Sequence, residues 1–317
     1  YNELEDANNL ANFINCKKNN LLIKKENYNK LINLYSKLDE PIADSSFIPT
    51  HEVSKFAKKY VKSCLSGDGV DEIFYGYNIF QAYNLIKKFK LDKINKKFLK
   101  FFINIVNKLI PFSNGYMPAE FIMKKFLNSL HYNDVELIDN LMSYNSIKEI
   151  NNLLSTNFKY QDIAKPSIKV WESSSGNTDK RKLSNYFIKL YFSENILTKV
   201  DRAGMLNGLE NRIVFTNYDL FNFIYFMPDN FKINYFETKK KLKETYKNFL
   251  PKKNVYKKKH GFAFPIYDLL SYLPIESFHS KFVKKEIVNK IFNEHHQRKN
   301  NKKMQLWSLM ALKQFNI

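Results

Sequence analysis

The chain has 317 residues, 44% of them hydrophobic and 26% charged. That balance excludes a disordered tail, a collagen-like rod and a polytopic membrane protein. Its 51 basic residues against 31 acidic ones leave a formal charge of +20, yet only Arg181, Arg202, Arg212 and Arg298 are arginines. Proteins that read bases lean on the bidentate fork of arginine, so the lysine excess reads as compositional drift and predicts no specific nucleic-acid partner. Cys16 and Cys64 cannot build a disulfide framework and point to a reducing, cytoplasmic setting. The opening YNELEDANNLANF has neither a cationic stretch nor an apolar one, so it is no signal peptide. It also lacks an initiator Met, so an internal piece or a processed chain is expected.

In chain order, residues 3–15 read as a helix, 21–23 as a short strand and 26–37 as a helix. A loop with Pro41 and Pro49 leads to a helix over 50–59. Val61 to Leu65 reads as a buried strand ending at Ser66-Gly67. Residues 71–110, 119–130 and 134–154 are mostly helical patterns. Within them Phe98 to Phe112 is an amphipathic helix for a core or an interface, and no stretch reaches 18 uninterrupted apolar residues. The polar region 155–182 reads as a loop. Helices resume at 183–197, 216–227, 238–249, 285–293 and 302–315. Alternating elements early and helices alone afterwards predict a helix-rich α/β fold with a partly parallel sheet.

Only eight glycines occur, and they cluster. Gly67, Gly69 and Gly76 fall in VKSCLSGDGVDEIFYGY, residues 61–77. A strand running into such a turn lets backbone approach a ligand, and the following helix start offers free N–H groups to anionic oxygen. Asp68 and Asp71 face the same mouth, as carboxylates that would meet magnesium or a ligand ammonium. Taken alone, this is equally a tight turn with aspartate caps. Gly204 and Gly208 fall in KVDRAGMLNGLENRIVF, residues 199–215, where Asp201–Arg202 and Glu210–Arg212 can be plain salt bridges. Gly261 follows a lysine run in YKKKHGFAFP, residues 256–265, where a lysine against an apolar wall makes a phosphate clamp.

The three segments in this order resemble the synthetase domain of the glutamine-hydrolysing asparagine synthetases. The resemblance rests on Ser66 to Tyr77, on Lys199 to Phe215, and on Leu250-Pro251 followed by Lys259-His260-Gly261-Phe262. The loop DEPIADSSFIPT, residues 39–50, and the closing LWSLMALKQF extend it over essentially the whole chain. Departures are Val70 for a small residue, Gly204 for Ser, Val214 for Pro, and Thr216-Asn217 for Leu-Asp. The family's pyrophosphate loop, S-G-G-x-D-S, and its glutaminase domain have no counterpart in these residues. Ser173 to Asp179 lacks the second glycine and is a poor substitute.

The resemblance implies a pyrophosphate-loop ATPase-like parallel sheet lacking its first strands, a helical C-terminal half, and one incomplete synthetase domain over residues 1–317. It implies ATP-dependent amidation of aspartate through β-aspartyl-AMP, with ATP and Mg²⁺ as cofactors. Ammonia would come from glutamine through a glutaminase domain in cis or in trans, and a homodimer is an open expectation. Asp71 would hold Mg²⁺, and Lys259 would meet the α-phosphate and the leaving pyrophosphate. Ser66 and Gly67 would hold the nucleotide, with Ser46 a further contact to the adenylate phosphate. Asp68 would bind the substrate ammonium, and Glu210 would lie near the acyl-adenylate. Lys239 matches a further family lysine. The isolated piece is expected to be inactive. A relative amidating another carboxylate, or a non-catalytic remnant, are the alternatives.

Overall fold

The computed structural model describes residues 3–24, 27–109, 118–132, 134–257, 261–262 and 264–315. They form a helix-rich α/β structure with one small parallel sheet, and the chain divides into two compact units.

The first unit comprises Tyr1–Lys25, Ser46–Asn84 and Ser173–Phe264. Its sheet joins β1, Ser63–Ser66, to β2, Glu210–Ile213, in parallel, with Ser63 opposite Glu210 and Ser66 opposite Ile213. Strand β2 departs from the expectation that only helices follow the early region. ENRI carries no β-branched run, and pairing with β1 makes it a strand. Strand β1 begins later than expected and is not buried, for Leu65 is 76% exposed. A parallel sheet normally has both faces covered, and this two-stranded one leaves Leu65 open. Residues 21–23 form no strand, having no neighbour to pair with.

A continuous helical rod crosses this unit. It runs α-helical over Asp179–Tyr186, π-helical over Phe187–Leu197 and α-helical again over Thr198–Met205. Thr178 caps it, its hydroxyl accepting from the Arg181 N–H at 3.2 Å. The rod's last section packs on the helix Phe47–Ala57. Gly204 allows that passage, because a Cβ there would lie 2.4 Å from Asn211 Nδ2 and 2.7 Å from the Leu209 carbonyl oxygen. The departure from Ser at this position therefore has a steric cause: Asn211 fills the space, donating to the Val200 carbonyl at 3.1 Å. Asn217, another of the departures, caps the helix Tyr218–Phe226 by accepting from the Leu220 N–H at 3.0 Å.

The second unit comprises Glu26–Ser45, Leu85–Glu172 and Pro265–Ile317. Its core centres on the helix Lys303–Gln314, whose Leu306, Trp307 and Met310 are fully buried. Trp307 meets Tyr35 edge-on at 5.7 Å. The region expected as a loop, 155–182, instead carries the helices Tyr160–Ile163 and Lys165–Glu172 and the start of the rod. Asp162 caps the first of these, accepting from the Lys159 N–H at 2.8 Å. The helix Lys96–Leu109 buries Leu99 and Ile103, while Phe98, Phe101 and Leu109 stay exposed. Among the described residues no helix is long and apolar enough to cross a membrane.

Candidate functional site

Strand β1 delivers the chain into Ser66-Gly67-Asp68-Gly69. The Ser66 hydroxyl donates to the Asp68 carboxylate, and the Asp68 N–H approaches Ser66 Oγ at 3.4 Å. Gly69 has φ +92°, and a Cβ there would fall 2.7 Å from the Phe192 ring. Both the left-handed backbone and the aromatic wall of the π-helical section thus demand glycine. Gly67 differs. Nothing lies within 4 Å of its missing Cβ, so its backbone faces open space.

The turn starts the short helix Val70–Ile73, which buries Asp71 and Glu72. Asp71 Oδ1 pairs with Lys239 Nζ at 2.7 Å. Gly76 completes this pair by absence, since a Cβ there would sit 2.0 Å from Asp71 Oδ1 and 2.7 Å from Lys239 Cε. The Tyr77 hydroxyl donates to Glu72, and burial together with that carboxylate pushes the Tyr77 pKa far above its usual range. Tyr75 adopts φ +56°. It is held by a 2.7 Å hydrogen bond to Asp229, by stacking on Phe80 at 4.7 Å and by Lys232 Nζ 4.9 Å over its ring. These contacts fix the strained turn that sets Gly76 against Asp71.

A cavity of about 1130 Å³ opens beside this turn. Gly67 and Val70 form one wall, and Lys239, Lys243 and Lys257 supply cations. Phe215, Phe236 and Tyr256 provide flat apolar surface of the kind a base stacks on. Lys243 is partly met by Glu237 at 3.5 Å. Lys257 is tied to Glu3 at 2.9 Å and Asp6 at 3.0 Å. Hydrogen bonds from Lys253 and Lys257 lower the Asp6 pKa to about 2. Among the described residues no three His, Cys, Asp or Glu side chains gather into a metal cage. Magnesium needs only one or two protein carboxylates when phosphate oxygens and water complete its shell. Asp71 is a buried carboxylate whose Oδ1 is taken by Lys239, so a metal arriving with a nucleotide would have to share that carboxylate with the ammonium or displace it.

The sequence-predicted residues separate into groups. Ser66, Gly67, Asp68 and Asp71 lie together on the turn. Ser46, at the start of the helix Phe47–Ala57, accepts a hydrogen bond from Lys199 Nζ at 2.8 Å. Glu210 stands at the far end of β2, opposite Ser63 rather than Ser66. That is about 10 Å of strand from the turn. Its exposed carboxylate meets Arg212 at 2.9 Å. Lys259 and His260 lie outside the described residues. The sequence reading did not foresee the Asp71–Lys239 pair or the Tyr75–Asp229–Lys232 cluster. Gly76 in so glycine-poor a chain was the available signal for the first.

The family model described as asparagine synthase matches residues 1–316. The chain is 25% identical over 323 residues to glutamine-hydrolyzing asparagine synthetase 1 of Bacillus subtilis, covering 98% of this chain and 49% of that protein. It is 26% identical over 237 residues to a putative glutamine-hydrolyzing asparagine synthetase of Mycobacterium bovis, covering 72% and 34%. To the putative glutamine-hydrolyzing asparagine synthetase 2 of Methanocaldococcus jannaschii it is 29% identical over 220 residues, covering 65% and 38%. The chain thus spans half or less of the length of these relatives. No solved structure matches it significantly. On the family match across nearly every residue, the chain belongs to the asparagine synthase family.

Proposed function

We propose that this chain carries the synthetase chemistry of ATP-dependent aspartate amidation, forming β-aspartyl-AMP and then asparagine. The observation that supports it best is the open backbone of Gly67 at the mouth of a lysine-lined cavity, directly beside the Asp71–Lys239 pair. Joining two anions, ATP and a carboxylate, requires cations held in place before reaction. Lys239 is such a cation, fixed by Asp71. Ser66 and Gly67 hold the nucleotide through hydroxyl and backbone contacts. Asp68 takes the ammonium of aspartate, and Lys259 meets the α-phosphate and leaving pyrophosphate. Asp71 would hold Mg²⁺, which supplies charge neutralisation to the phosphates when bound. Ser46 contacts the adenylate phosphate only if Lys199 releases it, and Glu210 acts on the intermediate only if the strand end approaches the turn. Ammonia comes from glutamine, through a glutaminase in cis or in trans.

The reading is tested by pyrophosphate release from ATP in the full-length protein. Release should depend on aspartate, and the AMP formed should match the asparagine made. Faster release with a sugar acid or a peptide carboxylate than with aspartate would move the assignment to another acceptor. ATP binding to the chain, weakened at least about tenfold by Lys239→Met, tests the cavity itself.

A further inference from the structure

The helical second unit holds a separate cavity of about 450 Å³, within the range of small-molecule sites. The helix Ala119–Ser129, the turn at 143–146 and the segment 299–305 enclose it. Its two acids are already matched. Glu149 accepts from the Ser146 N–H at 2.9 Å, Lys302 Nζ at 3.1 Å and Gln305 Nε2 at 3.0 Å. Glu120 is buried near Lys303, whose positive charge it favours. Three wall cations remain, Lys124, Lys125 and Lys299. Among the described residues none of the three has a carboxylate within ion-pair distance.

Lys125 shows the consequence. It donates to the Ser143 carbonyl and lies 5.8 Å over each of the Phe121 and Tyr144 rings. Burial lowers its pKa to about 8. A cation drawn into a wall without an anion is the electrostatic imprint of a negatively charged occupant. Three lysines exceed what one carboxylate needs and suit a dianionic phosphate, which lysine binds as a point charge. The asparagine amides of the wall, Asn128, Asn140 and Asn145, suit an oxygen-rich remainder.

We propose that this cavity binds a phosphate group, as free phosphate or as a small phosphate monoester, held by Lys124, Lys125 and Lys299. The site is independent of the cavity beside Gly67 and of the reaction assigned there.

Titration calorimetry on the whole chain tests it, with inorganic phosphate, glucose 6-phosphate and, as a neutral control, glucose. Both phosphate compounds should bind and glucose should not. Tighter binding of the sugar phosphate assigns an ester, and equal binding assigns the free anion. Lys125→Met and Lys299→Met should each weaken binding about tenfold or more, with Lys125→Arg retaining it. Near pH 8 binding should take up protons, because a phosphate beside Lys125 raises its pKa. The proposal fails if neither phosphate compound binds below about 10 mM. It fails equally if Lys239→Met abolishes binding while Lys125→Met keeps it, which would locate the anion beside Gly67. Loss in Lys125→Arg equal to that in Lys125→Met would show a packing role and overturn it too.

Discussion

Lys232 is wholly buried, at 0% exposure. Its ammonium donates to the Tyr225 carbonyl at 3.1 Å and faces the Tyr75 ring. Burial, and then the nearby Arg181 charge, lower its pKa to about 7, with Asp229 opposing. In the unfolded chain a lysine titrates near 10.4. Between those values the unfolded state binds the extra proton, so stability must rise with pH across that window. Below the folded value the buried charge costs most, and above the unfolded value the cost is gone. One proton of difference is worth about 1.4 kcal/mol per pH unit. From about pH 7.5 to 9.5, allowing for partial protonation at the lower end, the gain is about 2.5 kcal/mol. Lys232→Met keeps the length and removes the titration. Urea unfolding followed by far-UV circular dichroism should therefore show wild type gaining about 2.5 kcal/mol on the variant over that range. Lys125 and Lys303 titrate near 8 in the other unit and cancel between the two proteins. Parallel stability curves, within about 0.5 kcal/mol, would refute the buried-cation reasoning.

Gly76→Ala forces a Cβ onto Asp71 and Lys239. Thermal unfolding should show a loss of about 1–3 kcal/mol, and ATP binding should weaken with it. Gly67→Ala, with open space around the new methyl, should stay within about 0.5 kcal/mol of wild-type stability, so any loss of ATP affinity there reports on the ligand alone. Gly204→Ser restores the residue usual in the family but meets the Leu209 carbonyl, and chemical denaturation should register a cost of about 1–3 kcal/mol. On the proposed function, Lys259→Ala in the full-length protein should slow single-turnover pyrophosphate release about a hundredfold. Lys258→Ala should change it less than about threefold, and equal losses in Lys258→Ala and Lys259→Ala would reduce the run to a diffuse basic patch.

Helix periodicity was readable where an apolar stripe repeats, as in residues 4–13 and 119–129. Sequence alone also picked out the turn from Ser66 to Asp71, because in a chain with only eight glycines two of them fall there, and Gly69 occupies a left-handed backbone. It led to the family, since three spaced motifs in one order carry far more information than any one. Pairing and burial were not readable. Leu21 to Ile23 is more apolar than Glu210–Ile213, yet only the latter is a strand, because a strand exists through its neighbour and β1 lies far upstream in the chain. Asp162 and Thr178 cap helices in a region whose composition suggests a loop, since a short polar helix leaves little hydrophobic pattern. No local signal marks Lys232 as interior, and Gly76 flags a close approach at Asp71 without naming Lys239 as the partner. Those placements follow from how Tyr75, Tyr225 and Gly76 pack, and packing belongs to the folded chain as a whole. The sequence by itself determined the family, through three motifs in one order, and the turn that gathers Ser66, Gly67, Asp68 and Asp71. Tertiary structure alone decided which charges meet, because desolvation and Coulomb attraction act through space and not along the chain.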